Sequence, residues 1–286
     1  MKQERETSPW VELTKPGITF FSAIVAGGAY ALAPGPVILG QLLLLLFGTM
    51  TIVAGANVLN MYLERHSDKL MGRTQTRPLP AGRLEPEGVL AFGVFLSALA
   101  TTFLTFAVNP LTGFLGAIAL VIYVLVYTPM KRSTTLATLI GAVPGAMPAL
   151  MGWTAHTNSI NGAGLAVFGV LLLWQVPHFH AIAMYRREDY RRAGLKVLPV
   201  ERGDDMTRYA ILLYLAAQVQ LSLLMFPLGV SGPYYTVAAM ALGVGYMVVA
   251  MKGIRKGGRR WARVMFLTSV AYLPLLFFAM VLVGTA

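Results

Sequence analysis

The sequence predicts an all-α membrane protein of nine transmembrane helices, with the N-terminus inside and the C-terminus outside. Three observations predict it. Of 286 residues, 56% are hydrophobic and 12% charged, where a soluble domain carries about 25% charged residues. Nine apolar stretches have the length needed to cross a hydrocarbon core about 30 Å thick. Threading those stretches across a bilayer puts every formal charge on one side.

The stretches are 18–32, 37–63, 89–108, 111–127, 136–153, 165–185, 209–228, 234–251 and 264–283. With the N-terminus inside, the inner segments are 1–17, 64–88, 128–135, 186–208 and 252–263. All 23 Lys and Arg fall there, and so do all 12 Asp and Glu when Glu64 is set at the boundary. A wrong span count would scatter basic residues to both sides. The net charge of +11 therefore reads as topology rather than as nucleic-acid binding. The N-terminal MKQERETSPWVELTKP lacks the basic, apolar and small-residue regions of a signal peptide, so the first apolar stretch is expected to stay as a span. With no cysteine, disulfides and thiolate metal sites are excluded.

Pro34-Gly35-Pro36, Asn109-Pro110 and Ser231-Gly232-Pro233 predict tight turns between spans. The first span is short, and Trp10 and Trp153 are candidate interfacial anchors. The second is long: 37–68 as one helix runs about 48 Å, more than a bilayer needs. The sixth span ends WQVPHFHAIAMYRREDYRRAGLKVLP. Both elements close with carboxylates, then Arg, Gly and Leu-Pro. One domain, 1–286, with an internal repeat relating spans one to four and five to eight, fits that pattern.

The end of the second span carries the clearest chemistry. Asn60, Glu64 and Asp68 are four residues apart, so they share one helix face over about 12 Å. Arg73 and Arg77 follow. Carboxylates suit a hard cation and Arg forks suit phosphate oxygens, so the set fits a magnesium-bound diphosphate. Acids at a helix C-terminus are locally unfavourable and call for a counter-charge. The bland alternative is a solvated loop in which Glu64 and Asp68 pair with Arg65, Lys69 or Arg73.

In the second element Asp189 is a candidate cation ligand, or an orienting group for waters on the cation. Glu188 reads equally as a surface partner of an Arg, and Arg191 and Arg192 as positive-inside residues. Lys131 and Arg132, after the fourth span, are candidate diphosphate contacts, with Lys131 closer to the interface. His178 and His180 follow Pro177 inside the sixth span, where a proline frees a carbonyl beside a cavity; a hydrogen-bonded structural histidine is the competing reading for each. His156 and His66 are not favoured. Gly141, Pro144, Gly145, Pro148 and Gly152 predict a kinked fifth span with close neighbours. The 15 methionines read as packing. A membrane carrier is the rival class, but no ionised residue lies mid-span, where carriers bind their substrates.

Several runs resemble the intramembrane prenyltransferases of the UbiA superfamily, and within it the haem-prenylating branch. They are Leu13-Thr14-Lys15-Pro16, then Asn60-x-x-x-Glu64-x-x-x-Asp68 with Arg73-Thr74-x-x-Arg77-Pro78-Leu79. Tyr127-Thr128-x-x-Lys131-Arg132, Gly145-Ala146-x-Pro148 and Gly152-Trp153 follow. Trp174-x-x-Pro177-His178-Phe179 and Asp189-Tyr190-x-x-Ala193-Gly194 complete the set. The commoner first motif has Asp where this chain has Glu64. The resemblance implies a central cavity open sideways to lipid under a polar cap of cytoplasmic loops. It implies magnesium (Mg2+), farnesyl diphosphate and haem b as cofactor and substrates, and haem o and diphosphate as products. Asn60, Glu64, Asp68 and Asp189 would serve the metal and the chemistry; Arg73, Arg77, Lys131 and Arg132 the diphosphate. His178, His180, Tyr123, Tyr127 and Tyr185 are candidates for haem or prenyl contact, with the Tyr123 or Tyr127 ring face beside an allylic cation. Another aromatic or tetrapyrrole acceptor is the alternative. A haem-oxidising partner enzyme downstream and a plasma membrane location, with the site facing the cytoplasm, complete the expectation.

Overall fold

The computed structural model describes residues 8–255 and 257–283. Residues 1–7 and the C-terminal 284–286, which were expected on the inner and outer sides, lie outside the described residues. The described chain is helical, with no strand. Its elements are α1 (Pro9–Leu13), α2 (Pro16–Leu32), α3 (Leu39–Asp68), α4 (Pro86–Phe103), α5 (Pro110–Val121), α6 (Thr128–Met130), α7 (Ala137–Thr157), α8 (Gly162–Tyr185), α9 (Arg187–Arg192), α10 (Leu198–Glu201), α11 (Gly203–Leu223), α12 (Pro233–Met251) and α13 (Arg259–Val283). Two π-helical turns, Leu104–Val108 and Ile122–Tyr127, continue α4 and α5.

The helix starts follow local chemistry. Proline opens α1, α2, α4, α5 and α12, where its missing N–H costs nothing and its fixed φ suits the first turn. Asn109 caps α5 by accepting from the Thr112 N–H, and Asn161 caps α8 by accepting from the Gly164 N–H. Asn158 closes α7 in the left-handed region at φ 50°. The turns expected at 34–36, 109–110 and 231–233 are all present.

Among the described residues, six helical stretches are long and apolar enough to cross a membrane: Leu39–Asp68, Pro86–Val108, Pro110–Met130, Gly162–Tyr185, Pro233–Met251 and Arg259–Val281. The protein is a multi-pass membrane protein. Three of the nine expected spans fall short of that measure. The α2 helix has only 17 residues, α7 carries Pro144, Pro148 and several glycines, and α11 carries Arg208 and Gln218. All three pack against the others. Helix α3 is one continuous 30-residue helix, about 45 Å long, as its sequence predicts.

Side chains of Phe106, Leu125, Leu213 and Val237 stand exposed around the outside, as an apolar belt must in lipid. The main core gathers α8, α11, α12 and α13 around Trp174, Leu215, Tyr246 and Leu276. Small residues set the closest approaches. A Cβ on Gly152 would run into the Ala26 carbonyl, so α2 and α7 cross backbone to backbone there. A Cβ on Gly145 would overlap the Gln175 amide, which donates to the Ala142 carbonyl. Trp10 is part-exposed and packs edge-on against Phe92. Trp153 is not an interfacial anchor: it is buried, with its indole filling the notch that Gly164 leaves at the start of α8.

Candidate functional site

The last three turns of α3 form the floor of the site. Each of the three oxygen-bearing side chains predicted there meets a cation from another part of the chain. Lys15 Nζ donates to Asn60 Oδ1 at 2.9 Å, Lys131 Nζ to Glu64 Oε1 at 2.7 Å, and Arg77 to Asp68 Oδ2 at 2.7 Å. The local pairing with Arg65 or Lys69 is not what forms: Arg65 donates to the Tyr62 carbonyl and lies over the Tyr62 ring. Asn60 and Asp68 are buried. Thr74 secures the α3 terminus by donating to the Asp68 carbonyl, which brings Arg77 back over the helix end.

Lys15 was not a candidate from the sequence, because it lies 45 residues from Asn60. It sits between α1 and α2 at φ 48°, a left-handed conformation that a non-glycine residue adopts at a cost and that clusters at functional sites. Burial, with Arg77 alongside, pushes its ammonium down to about 7, against the opposing pull of Glu64. Burial also works against the charge on Lys131. Tyr127, whose ring centroid is 4.3 Å from its Nζ, and Glu64 outweigh burial and hold it above the ordinary lysine range.

Two cavities adjoin this floor and share Ile18. The first, about 670 Å³, is lined by Lys15, Arg73, Arg77 and Arg83 with Glu12 and Met61. The second, about 100 Å³, is apolar and lies between α2, α3, α5 and α7. Ile52, Leu120, Pro148 and Met151 line it, with Asn57 and Tyr123 as its polar edges. Tyr123 and Tyr127 rings lie 5.5 Å apart.

The second predicted element is only partly joined to the first. Tyr190 packs with Met71, Ala193 and Leu195, and the Lys196 N–H donates to the Lys131 carbonyl, so the loops after α3, α6 and α9 meet. Asp189 is held by Arg192 and Arg186 of its own segment, and Arg132 is exposed. Glu188 pairs with Arg191 at the surface. His178 accepts or donates at 2.7 Å with Ser269 and stacks on Trp174, so it faces α13. His180 is buried and lies on the same stripe of α8 as Gly169, which abuts Leu221 of α11. Tyr185 packs on Phe266. The contacts of His178 and Tyr185 lie with α13 and with α8 itself, and not with the Asn60–Asp68 floor.

The donor set is all oxygen and suits a hard divalent cation. Among the described residues, no group of three or more His, Cys, Asp or Glu gathers as metal ligands. The floor is a mixed set of one amide and two carboxylates facing three cations.

Comparison with known proteins identifies the family. The UbiA prenyltransferase family matches residues 20–284. A protein from Sorangium cellulosum named protoheme IX farnesyltransferase is 54% identical, over 85% of this chain and 87% of its own. One of the same name from Myxococcus xanthus is 45% identical, over 96% and 94%. A solved structure from work on digeranylgeranylglyceryl phosphate synthase superposes with a TM-score of 0.82 at 17% identity, covering 96% of both chains. A UbiA homolog from Archaeoglobus fulgidus bound to GPP and Mg2+ superposes with a TM-score of 0.70 at 17% identity, covering 96% of this chain and 99% of that one. From the span of the family match and these identities, the chain belongs to the UbiA prenyltransferase family.

Proposed function

We propose that the protein transfers the farnesyl group of farnesyl diphosphate to a vinyl group of haem b, with addition of water, giving haem o and diphosphate. It does so from the cytoplasmic face of the plasma membrane, through nine transmembrane helices. The observation that carries this reading is the junction, at Ile18, of an apolar cavity with a cation-lined cleft whose Lys15 and Arg77 pair with Asn60 and Asp68. The names of the relatives from Sorangium and Myxococcus support haem as the acceptor.

In this reading Arg73, Arg77 and Lys15 bind the diphosphate oxygens, and Lys131 reaches them from the α6 side. Arginine forks match phosphate oxygens two at a time. Asn60, Glu64 and Asp68, with Asp189 in support, hold Mg2+. The ammonium and guanidinium groups now on those oxygens show that the donors already favour positive charge, and the Archaeoglobus homolog was solved with Mg2+ and a prenyl diphosphate. The metal, when bound, neutralises the charge that develops on the departing diphosphate. Basic side chains aimed at that charge lower the barrier in the same way.

The apolar cavity excludes water from the allylic cation left on the farnesyl chain. Tyr123, on its edge, and Tyr127 offer ring faces to that cation. A ligand pocket for a whole drug-sized molecule starts at roughly 300 Å³. The inner cavity, about 100 Å³, therefore seats the reacting end, and the rest of the chain passes between helices toward lipid. His178, His180 and Tyr185 all lie on α8 and are proposed to meet haem from that helix.

The test is an assay of the purified protein with haem b, farnesyl diphosphate and Mg2+, read by mass spectrometry of the extracted haem. The expected product is haem heavier by one farnesyl group and one hydroxyl (the other proton of the added water being released), lost when EDTA removes the metal. Diphosphate release with another acceptor and no modified haem would overturn the haem assignment. Full turnover in EDTA would overturn the metal.

A further inference from the structure

We infer that Thr128 is a positioning residue that fixes which end of the Asn60 amide faces the site. The inference rests on the reading above, in which Asn60 serves a metal-bound diphosphate. Asn60 Nδ2 donates to Thr128 Oγ1 at 3.1 Å, across 68 residues of sequence. Both groups are buried: Asn60 is 1% and Thr128 6% exposed.

A threonine hydroxyl has one proton and two lone pairs. Thr128 spends that proton on the Tyr123 carbonyl, at 2.8 Å. The π-helical turn Ile122–Tyr127 makes this possible. Its wide register carries the Thr128 backbone N–H to the same carbonyl, and a carbonyl oxygen has room for both donors. With its proton committed, the hydroxyl can only accept from Asn60, and what it accepts from must be the amide nitrogen.

The opposite end of the amide is constrained independently. Lys15 Nζ lies 2.9 Å from the other amide atom, and in its charged form it donates but never accepts. Opposite the ammonium, that atom is therefore the oxygen. Two unrelated partners, on the α1–α2 junction and on α6, demand the same orientation. A cation arriving from the Lys15 side then meets an oxygen and never the amide N–H groups. Without the hydroxyl, the amide nitrogen loses its Thr128 acceptor and keeps only Glu64 beside it, and a half-turn that points it toward Lys15 is no longer opposed from the Thr128 side.

The experiment uses the full-length protein in detergent, saturated with farnesyl thiolodiphosphate and titrated with Mn2+, with bound Mn2+ read by electron paramagnetic resonance. Thr128→Val keeps the shape and removes the hydroxyl. Its Mn2+ dissociation constant is expected to rise by about 10- to 100-fold, the usual effect of losing a group that orients a ligand. Thr128→Ser restores the hydroxyl and is expected to return the constant close to that of the unsubstituted protein. Thr128→Ala leaves a small gap instead of a second methyl, and takes the place of Thr128→Val if the latter is not recovered folded.

Equal Mn2+ affinity in the hydroxyl-free variant and the parent overturns the inference. So does a serine variant as weak as the valine variant, which would make the methyl group the important part. A parent protein that binds no Mn2+ sinks the metal reading itself, and the inference with it. A parent that binds tightly beside an unaltered variant sinks the inference alone.

Discussion

Replacing Asp68 by Asn lowers turnover by about 100-fold or more, the scale of losing one group that stabilises developing charge. Asp68 is 4% exposed and ends α3, where the helix dipole already disfavours an acid. An acid kept at such a place is there for a cation, and Arg77 supplies one in this arrangement. Two roles are therefore in competition: Asp68 as metal ligand, and Asp68 as mere anchor for Arg77. The asparagine keeps size and one acceptor oxygen, so the fold should persist, with a modest fall in melting temperature from the weakened pairing. If Asp68 is a ligand, the Mg2+ concentration needed for half-activation rises in Asp68→Asn and stays unchanged in Arg77→Met, which instead raises KM for the diphosphate. If it is an anchor, the two variants behave alike in both measurements. Undiminished turnover in Asp68→Asn would remove it from the site altogether.

The second large effect is on stability. Gly152→Ala introduces a single methyl group, yet that carbon would overlap the Ala26 carbonyl oxygen of α2. Backbone cannot swing aside as a flexible side chain does, so α2 and α7 must separate along their whole crossing. Overpacking of this kind typically costs 1–3 kcal/mol, and about 3 kcal/mol is expected here. The measurement is thermal unfolding in detergent. Gly245→Ala in α12 is the control, since a Cβ there meets nothing within 4 Å. That change should be neutral or stabilising by about 0.5–1 kcal/mol, because alanine is the better helix former. Equal melting temperatures for the two variants would show that α2 and α7 do not cross as closely as described.

The α3 helix was legible in the sequence because its information is local. The length of its apolar run set its length, and steps of four set the common face of Asn60, Glu64 and Asp68. The turns at Gly35, Asn109 and Gly232 were legible for the same reason: proline and glycine act on their own neighbours. What escaped was everything fixed by distant contact. Lys15 and Thr128 reach Asn60 from 45 and 68 residues away, and nothing in a period of 3.6 residues reports that. The orientation of His178 toward Ser269 depends on where α13 lies, and Trp153 is buried only because Gly164 opens a notch. The π-helical register at Ile122–Tyr127 leaves no mark in composition, since Ile, Tyr, Val and Leu suit an ordinary helix in this setting equally well.

The three ion and dipole pairs on the α3 face have an electrical consequence. Glu64, Asp68 and the Asn60 oxygen each stand opposite a basic side chain, so the face is an internal salt. In the function proposed above, loading a metal and a diphosphate would be a metathesis: the anions of the helix would pass to the metal, and the freed basic groups to the phosphate oxygens. Product departure would run the exchange backwards. Glu64 and Asp68 would then keep a positive partner in both states, where an unpaired buried charge would cost several kcal/mol.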